Sequence, residues 1–322
     1  KVSNEDFDRA LSAVRPVPFG EKKTVGTVSF ILRRAQHLLG AAFAEIEIDT
    51  GRRTASVIFS GDLGSGGAIL LPPLEDPAPA DYVIVESTYG GRVRDTGEGS
   101  LQARYGEFGR EIGSALRDGG DVLIPAFTLG RTQEVIAALD LFVEDGTIPA
   151  GTEVYSDSPT AKKVSDVFRN HPESMSATAV SIYGDDILRK PWHREVKSRT
   201  SMKVHGRNHR PTIFISSSGN LSYANSPRHL ARMAGDERNL LCLVGWQSYG
   251  SVGRRLAGGD STVSVTYRED GETKKVWLSP AMKIRKYDAF SSHADQEGLL
   301  RWTGAIDGLK GAFIVHGELK QA

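Results

Sequence analysis

Cysteine is nearly absent from this chain. Cys242 is the only one in 322 residues, so no disulfide can form within the chain, and its setting in Leu240-Leu241-Cys242-Leu243-Val244 reads as a buried strand. Net charge is missing too. Forty Lys plus Arg offset forty Asp plus Glu, so no global field draws in a polyanion and any such ligand must be held by local groups. No apolar run approaches the roughly 18 residues of a membrane span, and the polar opening Lys1-Val2-Ser3-Asn4-Glu5-Asp6 is no secretory signal. The expected location is cytoplasmic, with no membrane partner. Internal repeats and low-complexity segments are lacking. So is an initiator methionine: the chain opens on a capped helix, Ser3 with Asp6 and the Phe7/Leu11 spacing, and is expected to be part of a longer polypeptide.

The length favours two packed units. From Thr24 to Ser60 the pattern is strand-like: Val25 to Leu32, Ala42 to Ile48, a Gly51-Arg52-Arg53 turn, and Ala55 to Phe59, the rhythm of an antiparallel meander. Tyr82-Val83-Ile84-Val85 is a further buried strand. From about Leu101 helices alternate with short strands, including Val122 to Pro125, Thr212 to Ile215 and Leu240 to Val244, as a parallel sheet with crossover helices requires. After Asp260 the chain turns β-like again, then predicts a last helix from Asp295 and a strand over Ala312 to Val315. The expected fold class is α/β: one module over 1–95, a second inserted over 96–281, and a return to the first over 282–322.

Three residues with metal-ligand chemistry follow predicted strands: His37 in Gln36-His37-Leu38, Asp62 in Gly61-Asp62-Leu63, and His316 in Val315-His316-Gly317. Strand ends of an open sheet converge on one crevice, so residues distant in sequence can meet there. Imidazole nitrogen and carboxylate oxygen suit Zn²⁺, and a carboxylate can bridge two ions. Taken singly, a His beside a glycine is more often a turn or packing residue, and an Asp between glycines a turn former. Two further loops add weight. Glu86 ends a very apolar strand, and His293 stands at a helix start behind Ser292; a Glu that holds an imidazole protonated yields a general acid.

The ordered motifs His37-Leu38-Leu39-Gly40, Ser60-Gly61-Asp62-Leu63-Gly64, Glu86-Ser87-Thr88-Tyr89-Gly90, Ser292-His293-Ala294-Asp295 and Val315-His316-Gly317-Glu318 resemble the β-CASP nucleases of the metallo-β-lactamase superfamily. Arg15-Pro16-Val17-Pro18-Phe19-Gly20, Ile124-Pro125-Ala126-Phe127-Thr128-Leu129-Gly130-Arg131, Ser217-Ser218-Gly219 and Val244-Gly245-Trp246-Gln247 extend the resemblance over nearly the whole chain. It implies a metallo-β-lactamase αββα sandwich, its N-terminal part missing, with an inserted parallel-sheet β-CASP domain. It also implies two zinc ions per complete site, His37 and His316 each on one ion, Asp62 bridging both, Glu86 orienting His293, and His293 protonating the leaving oxygen. The zinc pair would supply the nucleophile and neutralise the phosphate during in-line displacement, which accounts for a neutral protein holding a polyanion. The expected activity is hydrolysis of single-stranded RNA, with Ser217, Ser218, Gly219, Arg131 and Arg254 as candidate substrate contacts and a homodimer as an open option.

This sequence departs from the family in two places. The family's His-x-His-x-Asp-His run belongs upstream of Arg15 and is not in the chain, and Asn220-Leu221-Ser222-Tyr223-Ala224-Asn225 replaces the usual Met and Gly-rich turn. His171, His193, His205, His209 and His229 fall in helical or polar stretches and are read as surface or packing residues. Two alternatives stay open: an inactive paralogue that scaffolds an RNA-processing assembly, and a DNA nuclease on the same fold.

Overall fold

A computed structural model of the chain describes residues 3–94, 100–184, 188–205 and 210–318. Helix α1 (Asn4–Ala13) is capped by Ser3, whose side chain accepts from the Asp6 N–H while Asp6 reaches back to the Ser3 N–H. It buries none of its residues. Strands β1 (Lys23–Val25), β2 (Val28–Arg34), β3 (Ala42–Asp49) and β4 (Thr54–Phe59) form the antiparallel meander, and β5 (Tyr82–Glu86) joins β4 in parallel. The single strand expected over Val25 to Leu32 is a hairpin, because Gly26 at φ +62° turns the chain between β1 and β2.

The chain then builds the second module through α2 (Leu101–Arg117), β6 (Val122–Pro125), α3 (Arg131–Glu144), β7 (Glu153–Ser156), α4 (Pro159–Asn170) and α5 (Ala177–Tyr183). It continues with β8 (His193–Glu195), α6 (Ser198–Val204), β9 (Thr212–Ser216), α7 (Ser226–Met233), β10 (Leu240–Leu243) and α8 (Val252–Ala257). A hairpin of β11 (Val263–Glu269) and β12 (Glu272–Leu278) follows, tied to α7 by Arg228 and Arg232 on Glu269. Next come β13 (Lys283–Lys286), α9 (Gln296–Gly304) and β14 (Gly311–Val315).

Two six-stranded sheets result. The first has the order β1-β2-β3-β4-β5-β14 and the second the order β13-β10-β6-β9-β7-β8, all parallel in the second. Leu240 pairs with Lys283, so the chain stays with the second sheet beyond the boundary expected at Ala281. Lys283-Ile284-Arg285-Lys286 is too polar to announce a strand, and β13 forms because β10 offers it an open edge. Tyr105, Phe108, Ile112, Val122, Ile124 and Val135 make the core between the second sheet and its helices, while Phe43, Ile58, Leu63, Val83 and Trp302 make a separate core under the first. No described helix is long and apolar enough to cross a membrane.

Candidate metal centre and active-site cleft

The first sheet brings its site residues together by strand direction alone. β2, β4, β5 and β14 run the same way, so the loops that follow them, with His37, Asp62, Glu86 and His316, leave one edge. Two glycines let these loops touch. A Cβ on Gly64 would lie 2.5 Å from the Gln36 carbonyl oxygen, and one on Gly317 would lie 2.2 Å from Ser87 Oγ. Gln36 and His316 themselves take positive φ, +58° and +53°, conformations that non-glycine residues adopt at a cost repaid by the surrounding structure.

Asp62 sits between the two histidines. Its Oδ2 is 3.7 Å from His37 Nε2 and its Oδ1 is 3.3 Å from His316 Nδ1. Two ligands on one tetrahedral zinc, each about 2.1 Å from the ion, stand roughly 3.4 Å apart, so each oxygen and its histidine are spaced to share a cation. Burial and the neighbouring His293 push the His37 imidazole below its ordinary value, against the pull of Asp62. His37 is therefore neutral at pH 7, with a lone pair to give. His37 Nδ1 lies 3.1 Å from the Ser292 carbonyl oxygen, and a carbonyl only accepts. Nδ1 therefore carries the proton and Nε2 is the free ligand atom. The donor set fits zinc.

Glu86 and His293 form a second pair beside it. His293 Nδ1 donates to Glu86 Oε2 at 2.9 Å, and Glu86 Oε1 accepts the Leu63 N–H at 2.6 Å. Burial drives the Glu86 carboxyl up, but the hydrogen bond and charge of His293, with Thr88 and the Leu63 N–H, outweigh it and leave the group below its ordinary value. Donor atoms of His37, Asp62 and His293 lie within 4.8 Å of one another, as do those of Asp62, Glu86 and His316. Glu86, only 2% exposed, has both oxygens engaged and is better placed to orient His293 than to bind a cation. The His293 ring lies 4.4 Å from that of His37 and meets Tyr89 edge-on at 5.9 Å.

Residues without a sequence signal fix this arrangement. Buried Arg94 donates from Nη2 to the His293 carbonyl at 2.5 Å and from its backbone N–H to Asp295 at 2.9 Å. Arg104 donates to the Ala289 carbonyl and to Ser65, and Glu134 on α3 accepts the Ile69 N–H and the Tyr105 hydroxyl. No periodicity or motif marks any of them, because most of their partners lie far away in the chain.

The two modules enclose a cleft of about 1100 Å³. It is lined by His37, His293 and His316 from the first module and by Phe127, Arg131, Trp246 and Arg254, at or beyond the carboxyl ends of β6 and β10, from the second. Arg131 reaches Ser292 Oγ at 3.4 Å, and its Nε is shielded from solvent with no hydrogen-bond partner among the described residues. Burial pushes its guanidinium down to about 10, so it remains a cation at neutral pH, opposed in that shift by Glu134 and Tyr105. Ser217, Ser218 and Gly219 are not brought to the cleft wall. Ser218 Oγ donates to Asn220 and accepts the N–H groups of Ser222 and Tyr223, so its hydroxyl is consumed within the loop, while Ser217 Oγ is buried without a partner among the described residues. His171 pairs with Glu173, His193 with Ser156, and His205 with His229, which is itself bonded to Asp157. None of these four lines the cleft, and His209 lies outside the described residues.

A mixed sheet with an imidazole and carboxylate cluster at its strand ends, and a parallel module inserted after its fifth strand, defines a metallo-hydrolase of the metallo-β-lactamase fold. The family model described as the Beta-Casp domain matches residues 132–256, and the one described as the Zn-dependent metallo-hydrolase RNA specificity domain matches residues 280–322. A ribonuclease of Thermus thermophilus is 30% identical over 316 residues, covering 98% of this chain and 68% of that protein. An RNase J-like protein of Methanocaldococcus jannaschii is 27% identical, covering 99% of this chain and 70% of that protein. A transcription termination factor of Methanothermobacter thermautotrophicus is 29% identical, covering 87% of this chain and 43% of that protein. The chain belongs to the β-CASP family.

Proposed function

We propose that this chain carries the active-site cleft of a zinc-dependent ribonuclease, acting on single-stranded RNA in the cytoplasm. The observation that carries the reading is Asp62, whose two oxygens face His37 and His316 separately beside the Glu86–His293 pair. His37 and His316 would each hold one of two zinc ions, and Asp62 would touch both. Bound there, zinc supplies Lewis-acid charge to the phosphodiester and a source of nucleophile at neutral pH.

The chain's own groups do the rest. His293, its Nδ1 fixed on Glu86, offers Nε2 to the leaving oxygen and can deliver a proton to it. Arg131 and Arg254, which line the same cleft, supply positive charge to the RNA backbone. The relatives named a ribonuclease and RNase J-like support RNA over DNA as the substrate.

Zinc content and cleavage of a labelled RNA, measured together on His293→Ala, test the assignment. The expected result is retained zinc and cleavage slower by about 10²–10⁴-fold. Loss of zinc from that variant would make His293 a ligand, and cleavage of DNA but not RNA by the unaltered protein would overturn the substrate reading.

A further inference from the structure

Two loops at the carboxyl end of the second sheet carry aromatic rings that packing does not use. Trp246, after β10, is 45% exposed; Tyr223, after β9, is 61% exposed; and Tyr249 is 94% exposed. Rings as exposed as those of Tyr223 and Tyr249 contribute little apolar burial to folding. Single aromatics scattered over a surface need no explanation, but these loops are laced together. Asn220 Nδ2 donates to Ser248 Oγ at 2.9 Å, Gln247 Nε2 to the Gly219 carbonyl at 3.0 Å, and the Gly253 N–H to the Asn220 carbonyl at 3.1 Å.

Both tyrosines are held by local backbone structure. The Tyr223 N–H donates to Ser218 Oγ at 3.2 Å and its carbonyl accepts the Ser218 N–H at 3.0 Å. Tyr249 takes the second position of a turn closed by the Ser251 N–H on the Ser248 carbonyl at 3.1 Å, with Gly250 third at φ +75°. A positive φ at the third position is the type II pattern that calls for glycine. The ring is thus presented at the tip of an anchored turn, where little order remains to be imposed by a ligand.

The β9 loop is tied to the β10 loop, which is continuous with the cleft. Trp246 lines it together with Phe127 and Arg254. Arg255 is tied to Asp260 at 2.7 Å, whereas Arg254 is exposed and makes no ion pair among the described residues. Exposed π-faces beside an uncommitted cation suit a chain of alternating bases and phosphates.

We infer that Trp246, Tyr249 and Tyr223 form a stacking track that extends the cleft outward and takes successive unpaired bases of single-stranded RNA, with Arg254 meeting its backbone. This rests on the cleft being an RNA site. Stacking is tolerant of base identity, so the track sets strandedness and length dependence and not sequence. A duplex keeps its base faces stacked on one another and cannot use it.

The test is anisotropy of labelled phosphorothioate-linked oligouridylates of about 4 to about 16 nucleotides, with the zinc-loaded protein, so that the metal site stays occupied and cleavage is suppressed. The unaltered protein should bind the longer strands more tightly and a duplex of equal length more weakly. Tyr249→Ala and Tyr223→Ala should each weaken the longer strands roughly five- to tenfold and flatten the length dependence, while Tyr249→Phe restores it. Melting temperatures should not move, since these rings are mostly in water. If the Ala variants bind as the unaltered protein does, the track is wrong and the cleft reading stands. If the unaltered protein binds no strand of any length, both fail.

Discussion

Strands β6, β9 and β10 of the second sheet are buried at every position, whereas β2 in the first sheet has no fully buried residue and β14 has four exposed positions out of five. The metal-type donors His37, Asp62 and His316 all follow strands of the less buried sheet. The buried parallel sheet instead contributes other lining residues of the cleft, with Phe127, Arg131 and Trp246 beyond its strands. The donors stand at strand ends that open on the cleft, and the buried sheet holds the residues it contributes to that cleft on a tightly packed base.

The sharpest break in that comparison comes from Asp62→Asn. It removes one charge from between His37 and His316, and zinc content should fall with RNA cleavage down by more than about 10³-fold, while the melting temperature of the zinc-free protein hardly changes. Elemental analysis beside a cleavage assay reads both. Phe108→Ala should do the reverse. Its side chain is 1% exposed in the larger core, so chemical denaturation should show a loss of about 3–5 kcal/mol. Phe313→Ala on β14, where the ring is 58% exposed, should stay within about 0.5 kcal/mol.

Gly317→Ala probes the close approach of the β5 and β14 loops. The added methyl meets Ser87, and displacement of His316 by even about 1 Å should cost roughly 10²-fold in turnover; unchanged turnover would show that the loops can part freely. A further effect is electrostatic and lies in the second module. Burial pushes the His193 imidazole down to about 4, opposed by Glu195. The folded state therefore binds fewer protons than the unfolded one between that value and about 6.5, so stability should rise with pH across this window and be lost as pH falls through it. Solvent access to the half-buried ring limits the effect to about 2 kcal/mol. Denaturation of His193→Asn at several pH values should show a flatter profile.

Much of this was legible beforehand, for reasons that differ by residue. Val122 to Pro125 and Leu240 to Val244 announced themselves because a strand buried on both faces is a short apolar run. His37, Asp62, Glu86, His293 and His316 stood out because their side chains suit metal and proton chemistry and fall at predicted strand ends or a helix start. β8 and β13 did not stand out. His193-Arg194-Glu195 and Lys283-Ile284-Arg285-Lys286 are polar, and they become strands only because β7 and β10 present edges to pair with. Ser217 and Ser218 looked like donors for a phosphate, yet Ser218 is consumed by its own loop.

The sequence by itself determined the alternation of helix and strand, the kinds of ligand atom available, and the family to which they belong, since periodicity, residue chemistry and ordered motifs are all local properties of a chain. Only the tertiary structure decided that Asp62 stands between His37 and His316, that Arg94 locks the His293 loop, and that Trp246 faces the same cleft. Those relations join residues as much as 254 positions apart, from His316 back to Asp62, and they exist because parallel strands deliver their carboxyl ends to one edge whatever the length of chain between them.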